Sequence, residues 1–189
     1  MKTYKMEVCG VKRELPFVKI KDDLAFASFV IISDTELISA CAKELAAKIG
    51  EVDAVVTAEA KGIALAYEVS RLLGLKEFIV ARKSVKSYMT DVVSTEVNSI
   101  TTKGTQKLYL DGVEAAKIKG RKICIIDDVI STGESLKAVE TLVEKAGADV
   151  IRRAAVLAEG DAASREDIIF LQKLPLFSIS EDGDYSIIE

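Results

Sequence analysis

Histidine is absent from the 189-residue chain, and its absence removes several kinds of chemistry. Without it there is no Ser-His or Cys-His nucleophile pair, and no zinc site with a histidine ligand. Acid–base work must then come from carboxylates, lysines, tyrosines or the substrate itself. The acidic and basic side chains are therefore the first candidates for function.

Cysteine is scarce: the chain has three, Cys9, Cys41 and Cys124. An odd number without the spacing of metal ligands favours reduced thiols over disulfides or a metal site. Residues 1–16 hold no apolar run long enough for a signal peptide or a membrane span. We therefore expect a cytoplasmic protein.

An excess of positive charge is also missing, since 26 basic residues stand against 30 acidic ones and the net charge is −4. This balance argues against a general nucleic-acid or membrane binder, and we expect neither partner. The charge balance does not exclude a local basic pocket that binds a small anion. The length and an apolar content of 49% fit one α/β domain with a full core.

Short apolar strands alternate with amphipathic helices through the middle of the chain. The capping-box pattern S-D-T-E starting at Ser33 predicts a helix that ends at Gly50. Further helices are predicted at residues 62–73, 112–119 and 133–146, and strands at 53–58, 77–81, 122–126 and 150–158. Near-continuous Val, Ile and Ala strands between helices predict a Rossmann-like α/β fold, a parallel sheet flanked by helices. Residues 1–32 suggest short strands or an irregular layer, and the end of the chain an irregular tail.

The most informative stretch is KICIIDDVISTGES, in which an apolar strand meets Asp127 and Asp128 and then a Ser-Thr-Gly turn (residues 131–135). Backbone N–H groups and hydroxyls at the start of a helix bind a phosphate monoester well. Adjacent carboxylates need partners such as ribose hydroxyls, a divalent cation or a lysine. A sugar phosphate satisfies both halves, whereas the structural alternative is a plain strand end and helix cap. The Walker pattern G-x-x-x-x-G-K-[ST] occurs nowhere.

These residues resemble the signature D-D-x-x-x-T-G-x-[ST] of the type I phosphoribosyltransferase family. The resemblance implies a single domain with a core over 33–159, a small hood from about 1–32 and 160–189, and a flexible β-ribbon lid. It implies that Asp127 and Asp128 hold the ribose hydroxyls of phosphoribosyl pyrophosphate (PRPP). The 5′-phosphate would be bound by the Ser-Thr-Gly turn, which consists of Ser131, Thr132, Gly133, Glu134 and Ser135. Glu134 replaces the glycine common in the family.

Two further loops follow predicted strands and extend the resemblance. One matches the loop that binds pyrophosphate in the purine-using branch, with residues Glu59, Ala60, Lys61 and Gly62. The other reproduces the R-K-x-x-K pattern of adenine-using enzymes, with residues Arg82, Lys83 and Lys86. Basic side chains at a strand end suit an anionic leaving group. The alternatives are a plain helix start and solvated surface charge.

The base pocket and the lid rest on the resemblance alone. Phe17 or Val18 would pack on a purine, although an apolar pair is more often part of a core. Glu159, which follows a predicted strand, is the third candidate for contact with the base. The lid would span 87–110, with ribbon strands at 97–101 and 106–110, and would keep water from the reacting sugar. A plain surface hairpin is the alternative reading of this segment.

The resemblance implies an enzyme that moves ribose 5-phosphate from PRPP to a purine and releases pyrophosphate, with Asp127, Asp128 and Lys83 as catalytic residues. Mg²⁺ would be held mainly by PRPP and water, with Asp127 and Asp128 nearby. R-K-x-x-K favours adenine, but Thr101 stands where adenine enzymes carry a glutamate, and the lid is closer to that of xanthine enzymes.

Xanthine and hypoxanthine/guanine enzymes are therefore alternatives, as is a PRPP-sensing regulator of the purine-repressor type. Those repressors carry an N-terminal DNA-binding domain, for which the segment before the sheet leaves no room, so we expect an enzyme. Enzymes of this family usually form homodimers, and we expect one here.

Overall fold

The computed structural model describes residues 2–98 and 105–188. The strands, in chain order, are β1 (Thr3–Val8), β2 (Val11–Lys21), β3 (Leu24–Ala27), β4 (Ala54–Ala58), β5 (Ile79–Ala81), β6 (Val93–Asn98), β7 (Thr105–Leu110), β8 (Lys122–Ile130), β9 (Asp149–Glu159), β10 (Ile169–Leu174), β11 (Leu176–Ile179) and β12 (Tyr185–Ile188). The helices are α1 (Thr35–Ile49), α2 (Ile63–Leu72), α3 (Gly112–Ile118) and α4 (Glu134–Lys145), with a 3₁₀ turn at Gly160–Ser164.

A parallel sheet with the order β10-β9-β8-β4-β5 forms the centre of the molecule. Its strands bury both faces, which explains their near-continuous apolar sequence. Val55 and Cys124 pack in one core with α1 and α2, while Val56 and Ile125 pack in a second core with α4. The predicted α/β fold, a parallel sheet with helices on both faces, is therefore confirmed.

The order of the strands reverses between β4 and β8. After β4 the chain adds β5 on one side, and it later returns to place β8 on the other side of β4. Connections that leave two neighbouring strands in opposite directions open a crevice at their carboxyl ends, where ligands of such sheets bind. The crevice here lies between the ends of β4 and β8.

Helix α1 begins one residue later than predicted, because Asp34 rather than Ser33 is its N-cap. An Asp34 carboxylate oxygen accepts the backbone N–H of Leu37 at 3.1 Å. The same carboxylate binds the guanidinium of Arg13, with an Nε–Oδ2 distance of 2.6 Å. This ion pair joins the N-terminal strands to α1 and selects Asp34 as the cap.

A second, antiparallel sheet has the order β1-β2-β3-β11-β12 and forms the hood. The two ends of the chain meet in it, since β11 pairs with β3 through Leu176 and Phe26. The prediction of an irregular tail was wrong: β11 and β12 belong to this hood sheet, and β10 joins the parallel sheet beside β9. These short strands are stabilised by partners far away in the sequence, which the local pattern does not reveal.

The predicted β-ribbon is formed by β6 and β7, paired from Val93 with Leu110 to Asn98 with Thr105. Its first strand begins at Val93 rather than at residue 97. Exposed and buried side chains alternate there, but the buried Thr95 is polar, so the sequence lacks the apolar pattern of a strand. Leu108 and Leu110 are buried in the core that contains α4. The ribbon is therefore anchored at its base, while the predicted tip, including Thr101, lies outside the described residues.

Among the described residues, no helix combines the length and apolar character needed to cross a membrane.

Replacing Asp34 with alanine removes a helix cap and an ion pair together. We expect the free energy of unfolding at pH 7 to fall by about 1–2 kcal/mol. The Arg13 guanidinium holds the pKa of Asp34 below its usual range. The stabilisation is therefore present above the pKa of an unfolded aspartate and is lost as pH falls through the lower folded pKa.

Urea unfolding measured at several pH values tests this expectation. The control is Asp22→Ala, which changes an exposed acid in the turn between β2 and β3. Equal losses for Asp34→Ala and Asp22→Ala, or a loss for Asp34→Ala that does not shrink in acid, would contradict it.

Candidate active site

A cleft of about 640 Å³ lies between the carboxyl edge of the parallel sheet and the hood. Its volume is in the range of small-molecule sites. All three segments expected at this edge contribute to it. The predicted residues that line the cleft are Glu59, Ala60, Lys61, Lys83, Asp127, Asp128, Ser131, Thr132, Gly133, Glu134, Ser135 and Glu159. Gly62, Arg82, Lys86, Phe17 and Val18 do not line it.

The Ser-Thr-Gly turn joins β8 to α4 at one side of the cleft. Gly133 has a φ of +81° and is the N-cap of α4. This left-handed conformation is open to glycine at little cost. The first N–H groups of a helix have no acceptor within the helix, so the start of α4 offers donors to an anion in the cleft.

The acid pair lies within β8 rather than after it. The prediction ended the strand at residue 126, but β8 continues to Ile130 and pairs Asp127 with Ala155 of β9. The strand continues because its last residues still find a partner in β9, although β4 has already turned away. Both acids are thereby held by regular backbone at the floor of the cleft.

The two carboxylates have different partners. Asp128 is 1% exposed, and its Oδ2 lies 2.9 Å from Nζ of Lys61. Oδ1 of Asp127 accepts the backbone N–H of Asp128 at 2.8 Å. Burial and the neighbouring Asp128 carboxylate raise the pKa of Asp127 well above the usual range of an aspartate. The floor thus combines a buried carboxylate, paired with a half-exposed lysine, and an acid that holds its proton unusually tightly.

Lys61 reaches Asp128 because the 59–62 loop lies flat against the strand ends. A Cβ placed on Gly62 would be 2.2 Å from Oγ1 of Thr57 and 3.4 Å from Oδ1 of Asp127. No side chain fits in that space. Gly62 therefore does not line the cleft but permits the close approach that brings Lys61 to the acids.

Glu59 is held by the basic loop that follows β5. Its Oε2 accepts the backbone N–H of Lys83 at 2.8 Å, and its Oε1 lies 3.2 Å from Nη1 of Arg82. These contacts hold the pKa of Glu59 below its usual range. Glu59 therefore links the 59–62 loop to the 82–86 loop and places Lys83 at the cleft.

The other two basic residues of the R-K-x-x-K pattern are directed elsewhere. The guanidinium of Arg82 is beside Glu59, and its backbone exchanges two hydrogen bonds with Tyr109 of β7, at 2.8 and 2.9 Å. Nζ of Lys86 donates to Oγ of Ser84 at 2.7 Å. Internal partners therefore engage both side chains here and neither lines the cleft, so ligand binding by Arg82 and Lys86 stays a prediction.

The structure also places the two apolar candidates for base contact away from the cleft. The ring of Phe17 stacks on Tyr185 with a centroid distance of 4.0 Å, and its edge meets Phe177 at 4.8 Å. Val18 is 41% exposed on the hood. Phe17 therefore packs within the hood, which is the core role given above as the alternative for this apolar pair.

Three hood side chains that the sequence did not single out line the cleft instead: Ile20, Phe26 and Phe29. Phe26 lies opposite Val18 in the β2–β3 pairing, so the hairpin that holds the predicted base contacts does reach the cleft, but through other residues. Phe26 and Phe29 stand in the apolar run LAFASF, which is also typical of a core strand, and Ile20 follows the run that contains Phe17 and Val18. Glu159 does line the cleft, and burial raises its pKa, an effect that Lys61 opposes.

Asp127→Asn tests the charge on the floor. The pKa of Asp127 is higher in the folded than in the unfolded protein, so the folded protein loses stability as pH rises from about 4 through the raised pKa. Asparagine removes the charge and can still accept the N–H of Asp128. We expect the variant to be more stable than the native protein at pH 8, on the order of 1–2 kcal/mol, and the difference to shrink towards pH 4.

Urea unfolding across this pH range measures the difference, with Asp161→Asn at an exposed site as the control. If the stability difference between Asp127→Asn and the native protein is the same at every pH, the charge of the Asp127 carboxylate does not destabilise the fold.

The chain matches the sequence model of the phosphoribosyl transferase domain over residues 31–182. It is 36% identical to the hypoxanthine/guanine phosphoribosyltransferase of Methanococcus voltae over 135 residues, which are 70% of this chain and 68% of that protein. The enzyme of the same name from Ferroglobus placidus is 33% identical over 70% of this chain and 68% of that protein.

Solved structures show the same fold. Adenine phosphoribosyltransferase from Thermoanaerobacter pseudethanolicus superposes with a TM-score of 0.70 at 22% identity, over 85% of this chain and 95% of that one. The adenine enzyme of Trypanosoma brucei, solved with AMP, pyrophosphate and ribose-5-phosphate, gives a TM-score of 0.63 at 17% identity, over 84% and 74%. The sequence match covers most of the chain and includes the strand, the acid pair and the turn that form the cleft, so the chain belongs to the phosphoribosyltransferase domain family.

Proposed function

We propose that the protein transfers ribose 5-phosphate from PRPP to a ring nitrogen of a purine base. The observation that carries this proposal is the convergence of the acid pair, Lys61, Lys83 and the Ser-Thr-Gly turn on one cleft. These groups match the parts of PRPP: donors for the 5′-phosphate, acceptors for the ribose hydroxyls and cations for the pyrophosphate. The named ligands of the Trypanosoma brucei enzyme carry the same groups.

In the proposed reaction, the bond between C1 of the ribose and the pyrophosphate oxygen breaks, and a bond from C1 to the base nitrogen forms. The nitrogen gives up its proton to an oxygen of the departing pyrophosphate or to water, and the pyrophosphate leaves with the electron pair of the broken bond. Lys61 and Lys83 would offset the charge that develops on the leaving group, while the acids and the turn hold the sugar in place. The protein needs no nucleophile of its own, which agrees with the absence of histidine.

Magnesium is part of the proposal. Within residues 2–98 and 105–188 no three carboxylate, histidine or cysteine side chains converge as metal ligands, so the chain itself offers Asp127 and Asp128. Mg²⁺ keeps several waters and readily takes phosphate oxygens, so PRPP would complete its coordination. When bound, the ion would neutralise charge on the pyrophosphate.

For the base we propose hypoxanthine or guanine, on the basis of the relatives from Methanococcus voltae and Ferroglobus placidus. The sequence argument for adenine rests on R-K-x-x-K, and Arg82 and Lys86 of that pattern do not line the cleft. Glu159 is compatible with this choice, because an ionised carboxylate accepts two hydrogen bonds from N1–H and the amino group of guanine. It also accepts from the amino group of adenine, which keeps adenine as the second candidate.

Incubation with PRPP, Mg²⁺ and each of hypoxanthine, guanine, adenine and xanthine tests the proposed reaction. We expect pyrophosphate release and nucleoside monophosphate formation, with kcat/KM highest for hypoxanthine or guanine. A preference for adenine would overturn the proposed base but not the reaction. Tight PRPP binding without turnover on any base would favour a sensor, and failure to bind PRPP would refute the proposal.

Asp128→Asn tests the role of the buried acid. The change keeps the size of the side chain but removes the charge that binds Lys61 and, in the proposal, a ribose hydroxyl. We expect kcat/KM for PRPP to fall on the order of 100-fold and the circular dichroism spectrum to stay native. Asp161→Asn, which changes an exposed acid outside the cleft, should keep full activity. Unfolding of Asp128→Asn would indicate a structural acid.

A further inference from the structure

The Ser-Thr-Gly turn has a basic neighbour on the side away from the cleft. Arg165 follows the 3₁₀ turn Gly160–Ser164 and does not line the cleft. A Cβ placed on Gly133 would lie 2.6 Å from Nη1 of Arg165. The guanidinium therefore lies against the α-carbon of Gly133, and a side chain at this position would have to displace it.

Arg165 has hydrogen-bond partners of its own. Its Nε and Nη2 donate to the two carboxylate oxygens of Asp167, at 2.8 and 2.7 Å. Its backbone N–H donates to the carbonyl of Ala162 at 3.1 Å, and Ala162 is 1% exposed. Because a guanidinium is planar, holding two of its nitrogens sets the position of the third. Asp167 thus directs Nη1 at Gly133.

The position of Gly133 decides where the first N–H groups of α4 are directed. Gly133 is the N-cap of α4 and has a φ of +81°, and glycine has more backbone freedom than any other residue. A phosphate dianion on this turn would pull on those N–H groups. A cation behind Gly133 would oppose that displacement of the turn and would add a favourable positive charge near the anion.

We propose that Arg165, oriented by Asp167, is a positioning residue of the Ser-Thr-Gly turn. It acts on a bound phosphomonoester through Gly133 and not by contact. The inference rests on the proposed function in one respect, namely that this turn binds the 5′-phosphate of the sugar. It assigns Arg165 and Asp167 to the sugar-phosphate half of the cleft and not to the pyrophosphate half.

Calorimetric titration of the whole protein with two separate probes tests this assignment. The probes are ribose 5-phosphate, and pyrophosphate with Mg²⁺. We expect Arg165→Ala to weaken ribose 5-phosphate on the order of 10-fold and to leave pyrophosphate affinity within about twofold. Arg165→Lys should show most of the same loss, because lysine keeps the positive charge but not the planar guanidinium that binds Asp167 through two nitrogens. Asp167→Asn should lose less, and adding it to Arg165→Ala should cost nothing more.

Arg152→Ala is the matched control, since it removes one exposed arginine of β9 whose Nη1 donates to the carbonyl of Ile151 at 2.8 Å. The proposal fails if Arg165→Ala weakens ribose 5-phosphate no more than this control does. It also fails if Arg165→Lys binds like the native protein, which would reduce the effect to charge, or if both probes weaken equally.

Native protein that binds neither probe would refute the proposed function, and this inference with it. Native protein that binds both, with Arg165 variants unchanged, would refute the inference alone. If Arg165→Ala does not fold, Arg165→Lys and Asp167→Asn still decide the question.

Discussion

The contact between Lys61 and the buried carboxylate of Asp128, 2.9 Å long, sets the floor of the cleft. Two adjacent acids at the end of a buried strand are destabilising unless a cation or a donor reaches them. Lys61 reaches them because Gly62 allows its loop to lie against Thr57. The rest of the cleft is arranged around this contact, with the Ser-Thr-Gly turn and Lys83 completing the lining.

Much of the fold could be predicted because it depends on local pattern. Strands buried on both faces have continuous apolar sequences, and helices between them show their own period, so a parallel sheet was predictable. The cleft was predictable for a related reason: Asp127 lies in the last part of an apolar strand, Lys61 and Lys83 follow strands of the same sheet, and parallel strands end at one edge. Where side-chain chemistry and strand position pointed to the same place, the structure brings the residues together in one cleft.

The features that sequence reasoning missed depend on partners far along the chain. Asp34 rather than Ser33 caps the helix, because Arg13 binds the carboxylate of Asp34. Phe17 was turned from the cleft by its stacking on Tyr185, a residue of the last strand. Arg82 was assigned to the ligand by its motif, yet its guanidinium contacts the carboxylate of Glu59, which stands 23 residues earlier in the chain. A motif states which residue types meet at an edge, but competition among charges and rings decides which of them face the ligand.

The paired backbone hydrogen bonds between Arg82 and Tyr109 have a mechanical consequence. They join the segment that carries Lys83 to β7, the second strand of the ribbon, so neither can shift without the other. Lys83 is in turn tied through its N–H to Glu59. A displacement of Lys83 would therefore be shared with β7, whose Leu108 lines the same cleft.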